Sequence, residues 1–367
     1  MVTATLDWSC NVLAVSSAAI VGQGVGTAAA LCTKYQCAPR EIGRSYAREL
    51  SQLLLRQDAF LPGHTNEDPL DLARQATVTA SSEAALEFAL SDDFFELEIP
   101  ASQLFPISSG HLEAVDLLLK SDRAEPVPVT LGLRPADSVY DVQPKPDLAM
   151  AVATVPAGSK GFVRFEFRCP VKPGRLYVVH LPRTPGISWA LFSDTADGPA
   201  QSPVGCTAAE LPGPTRWHPI TRGCHFCIRL TPEQKPYSAG SIVRGTNRPD
   251  RWPNVFISDP NLGLPAWLEL RWPAAKRISM MQITFDTDIN RHSRAALFRY
   301  PDCVKHYDVL IPDGSGWRRI AGEEDNYMRR RVLRFAPVRT DRVRLSMLET
   351  NGARSARVYE ARLYAEA

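Results

Sequence analysis

Proline sets the first constraint on this chain. Thirty prolines are present, and Pro126, Pro128, Pro135, Pro144, Pro146, Pro156, Pro170 and Pro173 interrupt short apolar runs at 127–133, 162–167 and 176–181. Each removes a backbone donor and fixes φ, which excludes long helices from this region. Apolar runs of that length separated by turn residues predict strands of a β-sandwich.

Alternation extends the same reading. Phe95-Glu96-Leu97-Glu98-Ile99, residues 111–117, Arg331-Val332-Leu333-Arg334-Phe335 and Arg342-Val343-Arg344-Leu345-Ser346-Met347 largely alternate apolar with polar residues. A strand so patterned buries one face and wets the other. Asp313-Gly314-Ser315-Gly316 is a short turn that would join antiparallel strands. At 367 residues, 44% apolar and 22% charged, the chain is long enough for two or three domains of ordinary soluble composition.

The beginning differs. Residues 12–33 carry no charge, and Gly22, Gly26 and Ala30 stand four apart. In a helix they would stack into a groove where another backbone or a flat ligand can approach closely. A second amphipathic helix is predicted after Pro39, from Arg40 to Leu55, with Pro62-Gly63 ending the helical part. The uncharged run is long enough for a bilayer. It holds Ser16, Ser17, Gln23 and Thr27 and is poor in the leucine and phenylalanine that favour insertion, so no membrane span is expected. Residues 1–10 include Asp7 and no lysine or arginine, unlike a basic secretory leader. Localisation is not set by these features.

Gly22-Gln23-Gly24-Val25-Gly26-Thr27-Ala28-Ala29-Ala30-Leu31-Cys32, with Cys37-Ala38-Pro39-Arg40-Glu41, Leu53-Leu54-Leu55-Arg56-Gln57-Asp58, Leu61-Pro62-Gly63 and the run from Asn66 to Ser82, resembles the closing segment of the FAD-dependent oxidoreductase family. The resemblance implies a glycine-alanine helix packed beside a flavin, with Gly22, Gln23, Gly26 and Thr27 as FAD contacts. The family's Rossmann strand, G-x-G-x-x-G turn and acidic ribose contact have no counterpart here. Leu13 stands where the family carries an arginine. The expectation is therefore a helical remnant of a flavoprotein domain over 1–63, explained by an N-terminal flavoprotein segment on a partner chain or by a truncated reading frame.

Toward the other end, Ser241-Ile242-Val243-Arg244-Gly245, Asn254 to Pro260, Pro265-Ala266-Trp267-Leu268-Glu269-Leu270, Trp317 and Val358 to Tyr364 resemble a discoidin or coagulation-factor type C domain, a galactose-binding-like jelly roll. The fold expected is mainly β: a short α-helical N-terminal stub, a β-sandwich over 68–232 and a discoidin-like β-sandwich over 237–367. Such jelly rolls bind ligands with loops at one end, an aromatic platform meeting a sugar face and polar side chains meeting its hydroxyls. Arg248, Asp250 and Trp252, and Asp286, Asp288 and Asn290, are the candidates for a carbohydrate ligand. The resemblance further implies a structural calcium closed by Glu360, whose competing reading is a partnership with a nearby arginine. Trp267, Trp272 and Trp317 read as core or edge packing.

Other chemistry is scarce. Cys224-His225-Phe226-Cys227 has C-x-x-C spacing, but no second pair exists to complete a zinc ribbon. The segment alternates as a strand, so buried thiols are expected. The remaining cysteines show no framework spacing. Arg329-Arg330-Arg331, Arg334, Arg339, Arg342 and Arg344 follow directly on Glu323, Glu324 and Asp325. A self-neutralised surface is expected rather than a nucleic-acid face. No metalloprotease, nucleophile-elbow or P-loop motif occurs, and no residue is assigned as catalytic. The function expected is that of an accessory part of an FAD-dependent oxidoreductase-like protein, not catalytic alone and binding carbohydrate. The alternative is an active flavin oxidoreductase completed by the missing segment.

Overall fold

A computed structural model describes residues 8–139, 141, 145–193, 206–210, 217–218, 224–288 and 299–365. The helical part comprises α1 (Trp8–Tyr35), α2 (Pro39–Ser45) and α3 (Ala47–Arg56). Pro39 occupies the first turn of α2, where a missing N–H costs nothing. The predicted second helix is split in two because Tyr46 leaves helical geometry. Its ring stacks on Tyr35 with centroids 4.0 Å apart, and Glu49 accepts hydrogen bonds from both Lys34 and Tyr35. No helix among the described residues is long and apolar enough to cross a membrane.

The rest is antiparallel sheet. One sandwich pairs a six-stranded sheet, ordered 217–218, 206–210, 101–107, 175–181, 127–136 and 149–155, with a second built on strands 187–193 and 111–121. Its core holds Phe105, Leu117, Phe165 and Val179, and Trp189 stacks on Phe226 with centroids 4.2 Å apart. In the other sandwich the long strand Ala266–Phe285 pairs with Arg330–Thr350 along both halves, and a register break after Arg271 turns the hairpin from one layer to the next. Leu268, Leu270, Ile283, Val343, Leu345 and Leu363 fill this second core. The turn at Asp313 joins Val304–Asp313 to Gly316–Glu323, with Gly314 at φ 59°. That conformation favours glycine.

Two findings differ from the sequence reading. Thr77–Ala80, expected to open the first sandwich, pairs instead with residues 268–271 of the second, and Leu72, Ala73, Ala76 and Val78 pack into the second core. This segment thus takes up the strand edge at Leu268–Arg271. The half-strand 278–285 and the strand Arg357–Tyr364 are buried on both faces. Their second face, made of Gln282, Thr284, Glu360, Arg362 and Tyr364, lies under the helical part. Gln282 donates to Arg56 O, Arg362 donates to Leu55 O, and the Arg56 guanidinium lies 4.2 Å from the Tyr364 ring centre. Asp71 accepts from the Leu363 backbone N–H at 3.0 Å.

The sandwiches also touch directly. Val255, Ile257 and Tyr359, from the second unit's part of the chain, enter the first core beside Tyr237. Between the units lies a cleft.

Candidate ligand cleft between the sandwiches

The cleft has a volume of about 560 Å³, within the range of small-molecule sites. It is lined by residues from 83–87, by Glu233, Lys235 and Tyr237, by residues from 257–261 and by residues from 352–357. Backbone bonds tie the walls together: Ala84 N–H donates to Ile257 O at 2.9 Å, and Leu86 N–H donates to Gln234 O at 2.7 Å. Ser258 and Ala356 exchange bonds, the serine hydroxyl accepting from Ala356 N–H at 2.9 Å. Asp259 caps its own turn by accepting from Asn261 N–H at 2.8 Å. The cleft is therefore pre-formed by main chain.

Its polar groups are of two kinds. Glu83 accepts from Ala239 N–H at 2.7 Å, and Arg357, buried at the base, faces Asp302 at 3.2 Å and Asp286 at 3.5 Å. Burial opposes the charge on Arg357, yet the two aspartates hold its pKa above the ordinary arginine value. These groups are structural. Glu87 and Arg354, by contrast, are exposed and have no hydrogen-bond or ion-pair partner among the described residues. They present an acceptor and a donor to whatever enters.

The loop residues singled out from sequence lie elsewhere or beneath. Arg248 donates to Asp58 at 3.3 Å, beside the buried Asn247, which donates to the same carboxylate at 2.7 Å. Arg329 completes the ring of donors around Asp58 at 3.0 Å. Trp252 is buried, with its indole N–H lacking a partner among the described residues. Asp250 uses its backbone to accept from Val139 N–H and to donate to Trp252 O. Asp286 is buried under Arg357 and accepts from the Asp288 N–H at 2.8 Å. Asn290 lies outside the described residues. Asp286 is thus joined to the cleft through Arg357.

Glu360 is buried, its Oε2 2.9 Å from Arg362 Nε. Burial first, against the pull of Arg362, pushes its carboxyl up to about 7. Among the described residues no group of three or more His, Cys, Asp or Glu could hold a metal ion, and the contact that Glu360 makes is with Arg362.

Gly22, Gln23, Gly26 and Thr27 sit in the middle of α1, where backbone N–H groups are committed to the helix. Thr27 donates to Gln23 O at 2.8 Å, and Gln23 donates to Gln57 at 3.2 Å. Nothing lies within 4 Å of a Cβ placed on Gly22, Gly24 or Gly26. The face can accept a flat surface in van der Waals contact. It offers no amide cradle for a pyrophosphate.

Cys227 is buried, its thiol pushed up to about 11 by burial, and His225 faces Ala89 O at 3.1 Å. Four arginines of the basic run are paired with carboxylates: Arg329 with Asp58, Arg331 with Glu323, Arg342 with Asp341 and Arg344 with Glu269. Trp272 is core, and its indole donates to Leu72 O at 2.8 Å. Trp267 and Trp317 hold the Arg344 guanidinium between them, 4.3 and 4.0 Å from their ring centres.

The cleft itself was missed from sequence. It draws on segments near 85, 235, 260 and 355, and no local pattern joins them.

No family model matches the sequence, and no curated protein matches it. Among solved structures, the family 32 carbohydrate-binding module of Streptococcus pneumoniae EndoD is 14% identical, covering 36% of this chain and 88% of that one with a TM-score of 0.31. A Clostridium perfringens module, CpGH89CBM32-5 in complex with GalNAc-beta-1,3-galactose, is 17% identical over 35% of this chain and 84% of its own, with a TM-score of 0.27. The family 32 module of C. perfringens NanJ, in complex with galactose, is 17% identical over 35% and 85%, also at 0.27. The scores are too low for these likenesses to decide what this chain binds.

Proposed function

We propose that this chain is an accessory, non-catalytic part of an FAD-dependent oxidoreductase-like protein, and that its paired sandwiches bind carbohydrate in the cleft between them. The observation carrying this reading is the cleft: a pre-formed space of about 560 Å³ lined in part by the unpartnered Glu87 and Arg354. A sugar hydroxyl both donates and accepts, so a carboxylate and a guanidinium in one cleft suit a polyol ring better than a purely apolar ligand.

Titration of the protein against an array of neutral, amino and acidic glycans tests it. Binding that is lost in Glu87→Ala and in Arg354→Ala, with thermal stability unchanged, supports the cleft. Binding that survives both but is lost in Asp288→Ala moves the site to residues 247–254 and 286–288. No binding to any glycan overturns the reading.

A second reading, an active flavin oxidoreductase completed by a Rossmann segment or partner chain, is favoured by one feature. The α1 surface around Gly22, Gly24 and Gly26 is open, and Ile20, Val21 and Val25 are each 64% exposed, an apolar helix face with nothing packed on it. FAD would supply redox chemistry there; Gly22 and Gly26 would admit its approach, and Gln23 and Thr27 would border it. Flavin absorbance retained by the purified protein through gel filtration supports this second reading, and a colourless protein opposes it.

A further inference from the structure

The last turn of α1 brings two cysteines together that are five residues apart in sequence. Gln36 adopts φ 48°, and the Cys37 N–H donates to Cys32 O at 3.1 Å. This is the six-to-one bond of a Schellman motif, in which the residues at its two ends come into side-chain contact. Those ends are usually apolar; here both are thiols. Each is half-exposed and reduced. Burial, then the neighbouring Cys32, then Glu41, hold the Cys37 thiol above its ordinary value. The corner is fixed from outside by the Tyr35–Tyr46 stack and by Glu49, which bonds both Lys34 and Tyr35. The turn is therefore held in place by groups other than the cysteines.

We propose that Cys32 and Cys37 form a redox-active dithiol, oxidised to an intramolecular disulfide by low-molecular-weight disulfides such as oxidised glutathione. The Cys32 or Cys37 thiolate attacks one sulfur of glutathione disulfide and expels a glutathione thiolate. The second cysteine then attacks the mixed disulfide and expels the other. Two protein thiols lose two electrons and two protons, one disulfide bond forms, and one glutathione disulfide becomes two glutathione molecules. The helix end is closed covalently where it was closed by one backbone hydrogen bond. Because the raised thiol is a poorer source of thiolate at neutral pH, the first step accelerates with pH.

The chain carries its own assay. Lys34 lies between the two cysteines and Arg40 follows them, so trypsin separates Cys32 from Cys37 unless a disulfide joins them. The full-length protein, incubated with oxidised glutathione at pH 8, alkylated and digested, is expected to yield the 1–34 and 35–40 peptides as one cross-linked species. Reductant should split it, and protein thiols counted after denaturation should fall by two. Cys10 shares the first peptide, so the link must vanish in Cys32→Ser and in Cys37→Ser and persist in Cys10→Ser. Three outcomes overturn the proposal: a link that survives Cys32→Ser, stable mixed glutathione adducts on either cysteine, or both thiols alkylated after oxidation while Cys169 alone reacts.

Discussion

Glu360 and Arg362 stand two residues apart on one strand, both facing the helical part, with 2.9 Å between Oε2 and Nε. Cross-strand neighbours Thr284 and Gln282 complete the layer, and Leu55 O accepts a hydrogen bond from the Arg362 guanidinium at 3.0 Å. An ion pair in such a layer loses most of its hydration, and its Coulomb attraction repays that loss only in part.

The pH dependence follows from the Glu360 carboxyl, raised from 4.5 to about 7 by burial. The folded state holds its proton over a range in which the unfolded chain has released it. Stability from this group is therefore full below 4.5 and falls as pH rises to about 7, at about 1.4 kcal/mol for each unit traversed. Urea midpoints measured from pH 4.5 to 8 should decline more steeply for wild type than for Glu360→Gln, which keeps an acceptor for Arg362 without the titration. Parallel curves would show that Glu360 does not titrate there.

Asp58 is the hub that ties the end of the helical part to the second sandwich, accepting from Asn247, Arg248 and Arg329. Asp58→Ala leaves two nearly buried guanidiniums without their counter-charge. A loss of about 3–5 kcal/mol is expected in equilibrium unfolding, with earlier proteolytic release of residues 1–62. A loss below 1 kcal/mol would mean the arginines find other partners.

Arg344 is gripped between Trp267 and Trp317 and paired with Glu269 at 2.8 Å. Arg344→Ala should cost about 1–2 kcal/mol, and Arg344→Lys should recover only a minor part, because an ammonium cannot lie flat against two indoles. Unfolding followed by tryptophan fluorescence reads both. Equal stability of the lysine variant and wild type would show that charge alone matters.

In α1, Gly24→Ala and Gly26→Ala meet no atom within 4 Å. Each should strengthen the helix by about 0.5–1 kcal/mol, seen as slower amide exchange around residue 25. If exchange is unchanged or faster, the helix face is not open in solution.

The strand content was legible from local chemistry: prolines bar helices, and the alternation in Arg342-Val343-Arg344-Leu345 states which side of a strand is wet. The helix break at Pro39 and the turn at Asp313-Gly314 were legible for the same reason, since φ restriction acts within a few residues. Thr77–Ala80 was not assigned correctly, because its pattern says only that it is a strand and its partner is about 190 residues away at Leu268–Arg271. Likewise, nothing in the run from Val358 to Tyr364 reveals that Glu360 and Arg362 face a second layer of protein.

By itself, then, the sequence determined the kinds of element, helices first and strands after, because backbone propensity and burial pattern are local. Only the tertiary structure decided which edge each strand joined, that Glu360 met Arg362 away from water, that Glu87 and Arg354 came to line one cleft, and that Cys32 met Cys37. Such pairings depend on how the chain closes on itself, whether over six residues or over hundreds, and a one-dimensional pattern does not carry that distance.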